Sequence, residues 1–482
     1  MTRTIQAEVV VIGSGAGGAT TAATLAMAGR DVLIVEEGPE VPRGTVPHAP
    51  ASVQNLYRNG GLSPVLGTPN VAFVEGCCVG GSTEVNAGFW HRPPREVVDA
   101  WVRDRKIRSL DGASLERLVE ECERLIGIGE GPPREAPDAA SVALLRGARA
   151  LGWSCDEIPR AIWATNVEGE SAPGARRSMS QTLLPLAQKH GARLMARCQV
   201  TRLVRRGQRI TEAEAMLTTD GATQPVRIIA ERFYICGGAL QTPTLLWRSG
   251  IRRNVGNSLQ LHLMLKIVAA FDTPLEPHTA VVPVYQIKHH GPDETLGGSV
   301  CTPGFLSITL GDDWGENRDA LLDWPKMALY YTLCRASRRA VVRPFPFTGE
   351  AFARHTLDMS DRVNLTTGFL HLCELAFAAG ARRLYPGLRG WAPFDDVDDC
   401  RKRLSTPIPA RDMSLSSVHA FSSCPMGEDE LAAVDSFGNV HGLDNLCVAD
   451  ASILPSSPAV NPQATIMALA LRNARHHIER SA

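Results

Sequence analysis

Three glycines and one acid carry the first chemistry legible in the chain. Gly13, Gly15 and Gly18 fall in the run Gly13-Ser-Gly15-Ala16-Gly-Gly18, and Glu36 closes the next apolar run. That offset is close to the ~20 residues expected of an acid facing a ribose hydroxyl. Gly13 permits a tight turn, Gly15 lets backbone N–H groups approach a phosphate, and Gly18 lets helix and strand pack closely. Ala16 shares the loop, and the helix start behind it offers free N–H donors and positive partial charge to a pyrophosphate. The chemistry is dinucleotide binding. FAD and a nicotinamide both stay open on this stretch, whereas the Glu36 carboxylate argues against a 2′-phosphate and so against NADP.

Two further runs could act on a ligand. Gly76-Cys-Cys-Val-Gly80-Gly81-Ser82-Thr83-Glu-Val-Asn86-Ala87-Gly88 packs glycines, hydroxyls and an amide into a dozen residues. Such a run can give N–H donors and a side-chain amide to a phosphate or a flat ring. Near the other end stand His419, then Asp450-Ala451-Ser452, then Asn461-Pro462-Gln463-Ala464-Thr465. Asn461-Pro462 has the form of a helix start, Asn as N-cap and Pro at the first helical position. A free helix N-terminus attracts negative charge, which would suit the pyrimidine edge of a reduced flavin.

The elements that position these residues follow from the flanking patterns. Glu8–Ile12 is a strand, Ala19–Ala28 a helix stopped by Gly29, and Val32–Val35 a parallel strand, which makes a β-α-β unit. Phe233–Ile235 repeats the pattern into Gly237-Gly238 and a helix with Pro243 near its first turn. Leu446–Ala449 reads as a buried strand. Residues 100–165 read as polar helices, Leu118–Ile128 being the clearest amphipathic stretch, and Gly191–Val200 as a helix end entering a strand. Residues 37–74 are rich in Pro and Gly and aperiodic, which fits a lid over a pocket or a surface excursion.

The bulk numbers fit an ordinary globular enzyme of one large discontinuous domain or two domains. The chain has 482 residues, 44% hydrophobic and 21% charged, with a net charge of −1. No charge block makes a case for nucleic acid or an anionic membrane. No apolar run reaches bilayer length, and no signal pattern precedes the first strand, so a cytoplasmic protein is expected. The twelve cysteines are scattered without ligand spacing, and no metal is expected.

The run from Gly76 through Asp99 resembles the first signature of the glucose–methanol–choline (GMC) oxidoreductases at every defined position. Gly237–Ile251 resembles the second, with Arg252 where a glycine usually follows. The ending, with His419, Val448-Ala-Asp450-Ala-Ser452 and Asn461-Pro462-x-x-Thr465, is similar to GMC C-termini. This resemblance implies an α/β fold: a Rossmann-like FAD-binding domain over 1–266, completed by 406–482. A substrate domain over 267–405 would be built on an antiparallel sheet backed by helices.

It implies FAD as cofactor, contacted by Gly80, Gly81, Ser82, Asn86, Ala87 and Gly88. Val200 would meet the adenine through its backbone, Asp450 and Ala451 the pyrophosphate and ribityl chain, and Pro462 and Thr465 the pyrimidine ring. By the same resemblance His419 faces flavin N5 and takes the alcohol proton, Asn461 holds the substrate oxygen, and hydride passes to N5. His262 is given a structural role in closing the FAD domain, and His441 none.

The expected activity is therefore oxidation of a CH–OH donor to an aldehyde or ketone. The partners are a small-molecule alcohol, with a lean towards an apolar one, and an electron acceptor such as oxygen, a quinone or a carrier protein. The alternatives are an NAD-dependent dehydrogenase, which would not be yellow, and a redox-silent FAD lyase of the same fold, which no alcohol would bleach. In place of His-x-x-Gly-Thr-Cys this chain has His419-Ala-Phe-Ser422-Ser423-Cys424. Val85 precedes Asn86 and no histidine lies where members with covalent flavin carry one. FAD is expected to be non-covalent: acid precipitation should release all yellow colour, and flavin held in the pellet would refute this.

Overall fold

The computed structural model describes residues 3–42, 45, 49–128, 137–162, 176–275 and 284–481. Two sheets organise them. The first runs β6 (Arg193–Met195), β2 (Val32–Val35), β1 (Arg3–Ile12), β9 (Ala222–Ile235), β8 (Arg209–Thr219), β7 (Cys198–Arg206), with β19 (Leu446–Val448) on the far end of β9. β6, β2, β1, β9 and β19 are mutually parallel, while β7 and β8 attach as an antiparallel flap. The β-branched runs Val9–Ile12 and Val32–Val35 are buried, as strands covered on both faces require.

The helix Ala16–Met27 crosses between β1 and β2, as the glycine spacing predicts. Its small residues matter more than the spacing alone shows. Gly13 has φ +104°, and a Cβ there would overlap the Cys236 carbonyl. At Gly17, to which the sequence pattern gives no task, a Cβ would overlap the Ala449 carbonyl oxygen at the end of β19. The returning strand therefore docks on helix backbone.

The second sheet is largely antiparallel and long. Its order is β14 (Val341–Pro344), β15 (Ala351–Arg354), β3 (Ser63–Leu66), β4 (Val71–Phe73), β17 (Leu415–Ser417), β10 (Gln260–Ala270), β13 (Met327–Arg335), β12 (Glu294–Gly298), β11 (Tyr285–Ile287), β5 (Asp156–Glu157). β16 (Arg383–Pro386) and β18 (Ala420–Phe421) also pair with β10. The long helix Met359–Ala378 lies on one face, where Phe369, Leu372 and Leu375 share a core with Leu261, Leu263 and Leu265 of β10. Strand alternation then turns His262, Met264 and Lys266 to the opposite face.

The two layers interleave along the chain more than a cut at 266/267 and 405/406 expects. β3, β4, β5 and most of β10 lie before 267 yet belong to the second sheet, as do β17 and β18 after 405. Within 37–74, β3 and β4 form an antiparallel pair hydrogen-bonded into this sheet, so that part is wall rather than lid. Residues 43–44 and 46–48 of the stretch lie outside the described residues. No helix among the described residues is long and apolar enough to cross a membrane.

The Gly17 approach gives a direct check. Gly17→Val should destabilise the fold by about 1–3 kcal/mol through overpacking and loosen the Asp450 segment. Denaturant unfolding measures it, and a stability equal to wild type would show that β19 does not depend on this glycine.

Candidate active site

The glycine turn is held to the second strand by Ser14. Its N–H and Oγ both donate to Glu36 Oε2, at 2.9 and 2.7 Å, and Gly38 N–H donates to Oε1 at 2.9 Å. Burial pushes the Glu36 carboxyl up, and these three hydrogen bonds pull it back. Three bonds fill three of its roughly four acceptor positions, so capacity for one ligand hydroxyl is left. Gly80 N–H in turn donates to Ser14 Oγ at 2.9 Å, which ties the second glycine loop to the first.

Between the two loops a cradle remains. A Cβ on Gly15 would find only Gly81 Cα, at 3.9 Å, and no side chain caps the helix that begins there. The first-turn N–H groups are thus free for an anion. Gly13, Gly15, Ala16 and Gly81 are all half-buried rather than sealed. A dinucleotide pyrophosphate fits this opening. Asp450 sits on the other side of the helix start. It accepts from Gly238 N–H at 2.8 Å, from the Thr242 hydroxyl, and from Ser452 N–H at 2.8 Å. Ala451 follows it half-buried, while Val200 is a buried strand residue paired with Ala215.

The second loop reaches the last helix through Asn86. Its Nδ2 donates to Gln463 Oε1 at 2.8 Å, its Oδ1 accepts from Gly88 N–H at 2.8 Å, and Arg176 donates to its carbonyl. Ala87, between them, is half-buried. Ser82 Oγ accepts from Gly76 N–H at 3.0 Å and so shapes the loop itself. The last helix spans Gln463–Ser481, and its first bond runs from Ile466 N–H to the Pro462 carbonyl at 2.9 Å. Asn461 therefore stands one residue outside the cap position that its sequence suggests, and its side chain is free for another use. Thr465 is fully buried, and its hydroxyl has no partner among the described residues.

That other use is His419. The Asn461 amide nitrogen lies 2.9 Å from Nε2 of His419. On the far side of the ring, Nδ1 of His419 is 3.1 Å from Nδ1 of His262, whose Nε2 is 2.7 Å from Ser457 Oγ. With the amide donating, Nε2 of His419 is the bare nitrogen and Nδ1 carries the proton, given to His262. His262 then keeps its own proton on Nε2 and gives it to Ser457, whose oxygen also accepts from Ala459 N–H at 3.2 Å. Burial pushes His419 down to about 4 and His262 well below its ordinary value, so both rings are neutral near pH 7.

His262 thus does more than close a domain. It lies 157 positions from His419 in the chain, and only the alternation along β10 could have pointed at it. At Ser422, where the family pattern has glycine, φ is +66°, the region a glycine enters freely, and the hydroxyl is buried with no partner among the described residues. His91, likewise unassigned from sequence, is held down to about 3 by burial and by the charges of Lys288 and His419. His441 is on a separate turn, paired through its N–H to Ala433.

An anion cradle tied through one helix start to a base-and-amide pair suits a nucleotide-dependent redox enzyme. Comparison narrows it. The chain matches the GMC oxidoreductase family over 53–264 with its N-terminal part and over 353–470 with its C-terminal part, and an FAD binding domain over 8–55. It is 35% identical to a GMC-type oxidoreductase of Sinorhizobium fredii, over 99% of this chain and 95% of that protein. A long-chain-alcohol oxidase of Arabidopsis thaliana is 26% identical over 97% of this chain and 67% of its own length. Among solved structures, pyridoxine 4-oxidase from Mesorbium loti shares the fold, with TM-score 0.72, 19% identity and coverage of 98% and 99%.

The chain belongs to the GMC oxidoreductase family and binds FAD. The nicotinamide alternative falls with that assignment. Glu36→Gln should weaken FAD retention about tenfold or more, because the new amide presents N–H to donors that now meet a carboxylate. Titrating FAD into apoprotein measures this, and unchanged affinity would remove Glu36 from the cofactor contacts.

Proposed function

We propose that the enzyme oxidises an alcohol, with His419 as general base and Asn461 as the group that orients the substrate oxygen. The observation that carries this reading is the 2.9 Å approach of the Asn461 amide to Nε2 of His419. A neutral alcohol is a poor hydride donor and an alkoxide a good one, so oxidation needs a proton acceptor beside the carbinol. Nε2 of His419 is unprotonated in the hydrogen-bonded chain described above and is the atom that receives the proton. Once it has done so, the Nδ1–H to His262 spreads the positive charge towards Ser457. Asn461, a donor that does not titrate, holds the oxygen without competing for the proton. FAD held by the two glycine loops supplies the acceptor for the electron pair and hydrogen that leave the carbinol carbon.

The alcohol-oxidase relatives in plants support the CH–OH reading. Anaerobic mixing with a panel of alcohols tests it: bleaching of the yellow enzyme is expected, and an enzyme bleached by none would be the redox-silent lyase type. His419→Ala should slow that bleaching about a hundredfold or more, and an unchanged rate would remove His419 as the base. The pH profile has a definite sign. A base whose pKa is depressed stays competent as pH falls, so kcat/KM should hold level from about pH 8 to about pH 5. It should decline only as pH approaches the value of about 4 to which burial brings His419.

A further inference from the structure

The helix-covered face of the second sheet, opposite the one that carries His262, holds side chains with no part in the chemistry at His419. Glu294 of β12 pairs opposite Cys334, and Cys334 opposite Leu263 of β10. Leu263 and Cys334 share a core with the long helix Met359–Ala378, so Glu294 is turned to that helix as well. The helix comes close there because it carries Gly368. A Cβ on Gly368 would crowd the Thr332 hydroxyl and stand 3.3 Å from Glu294 Oε2. One turn on, Nδ1 of His371 lies 3.0 and 3.1 Å from the two Glu294 oxygens. The third member is His290, on the turn between β11 and β12. Its ring stacks on that of His371, with centroids 3.7 Å apart and planes at 16°.

Among the described residues this is the one group of three in which metal-ligating atoms gather. One atom each from His290, Glu294 and His371 lies within 4.8 Å of the others. Two imidazoles and a carboxylate are a donor set for zinc, which holds such ligands at about 2.0–2.2 Å. Two donors on one tetrahedral zinc then stand roughly 3.3 Å apart. His371 and Glu294 are already close to that spacing. A plain ion pair between them has no use for a second imidazole laid flat on the first. Two imidazolium rings in that contact would repel, whereas two neutral rings offer their lone pairs to one cation.

The neighbouring groups are engaged elsewhere. Glu374, a turn beyond His371, is paired with Arg401 at 2.8 Å. Nδ1 of His289 accepts from Ser154 N–H at 3.3 Å, and its ring stacks on Trp153.

We propose that His290, Glu294 and His371 form a binding site for a divalent transition-metal ion of the zinc type, with water completing the coordination. His290 closes the set by rotating on its exposed turn, and the proton held between His371 and Glu294 leaves as the metal arrives. The ion would pin the β11–β12 turn to the helix. Mg2+ and Ca2+, which prefer oxygen donors, fit poorly. Local spacing conceals the set, because Glu294 and His371 are 77 positions apart. The site shares no residue with the chemistry at His419 and does not rest on the alcohol-oxidation reading.

Equilibrium dialysis of the FAD-loaded enzyme against micromolar Zn2+ should leave a single ion per chain, and Mg2+ should not compete. His290→Ala, His371→Ala and Glu294→Gln should each weaken zinc binding about tenfold or more, whereas His289→Ala should leave it unchanged. His290 is exposed, so its replacement spares the core and reports the loss of a ligand. A wild type that retains no zinc overturns the site and leaves an ion pair only. Zinc binding that survives all three substitutions, or that falls only in His289→Ala, overturns it as well.

Trp153 gives a second readout, because its ring centroid is 4.5 Å from that of His290 and 5.8 Å from that of His371. Cu2+, which nitrogen donors bind more tightly than Zn2+, is paramagnetic and should quench this indole. Zinc added in excess should restore part of the emission. Trp153→Phe should lose the quenched component and still retain zinc. A copper quench untouched by Trp153→Phe puts the ion elsewhere and overturns the assignment.

Discussion

The close approach of the Ala449 carbonyl to Gly17 is the constraint on which the assembly turns. It lets β19 lie beside β9 and delivers Asp450 to the N–H of Gly238. From there the stitching continues. Ser422 N–H donates to the Ala451 carbonyl at 3.1 Å, and Cys424 N–H to the Ser452 carbonyl at 2.8 Å. The segment bearing His419 is thus hung from the residues that touch the helix start. His419 is placed by backbone, at a distance set by the absence of one methyl group.

Burial sets the chemistry of what is placed there. Three histidines, His91, His262 and His419, are all pushed below their ordinary range, and desolvation is the leading cause in each. A ring that is neutral and hydrogen-bonded at both nitrogens has one tautomer and one orientation, which are the properties a base needs before substrate arrives.

Local patterns were legible in the sequence wherever one short run holds the whole argument. The β-α-β unit, the second glycine loop and the antiparallel second layer appear as expected, the last through family resemblance, and His419 and Asn461, named by the same resemblance, lie 2.9 Å apart. What stayed hidden depends on partners far apart in the chain. His262, to which the resemblance gives a structural role in closing the FAD domain, touches a ring 157 positions away that no local pattern names. Gly17 looked redundant because its neighbour, Ala449, arrives from the other end. Cap propensity is local and points to Asn461 as the N-cap, whereas the helix begins one residue later and the Asn461 amide turns to His419. That β3, β4 and β10 join the second sheet was not legible, because short strands that join a distant sheet carry no composition shift.

The His262–His419 contact lies where the two layers meet. His419 stands between β17 and β18, which both pair with β10, the strand of His262, while the chain just after it is stitched to Ala451 and Ser452 and so to the nucleotide layer. β10 and β18 share only two rungs, Gln260 with Phe421 and Leu261 with Ala420. Beyond them, His262 N–H donates to the His419 carbonyl at 3.3 Å, and the two rings meet at 3.1 Å. The tautomer of His419 is therefore held by a residue of the second sheet. The orientation of this one imidazole depends on both layers, because its ring is fixed by His262 of β10 while the chain three residues on, at Ser422, is fixed to the Ala451 carbonyl.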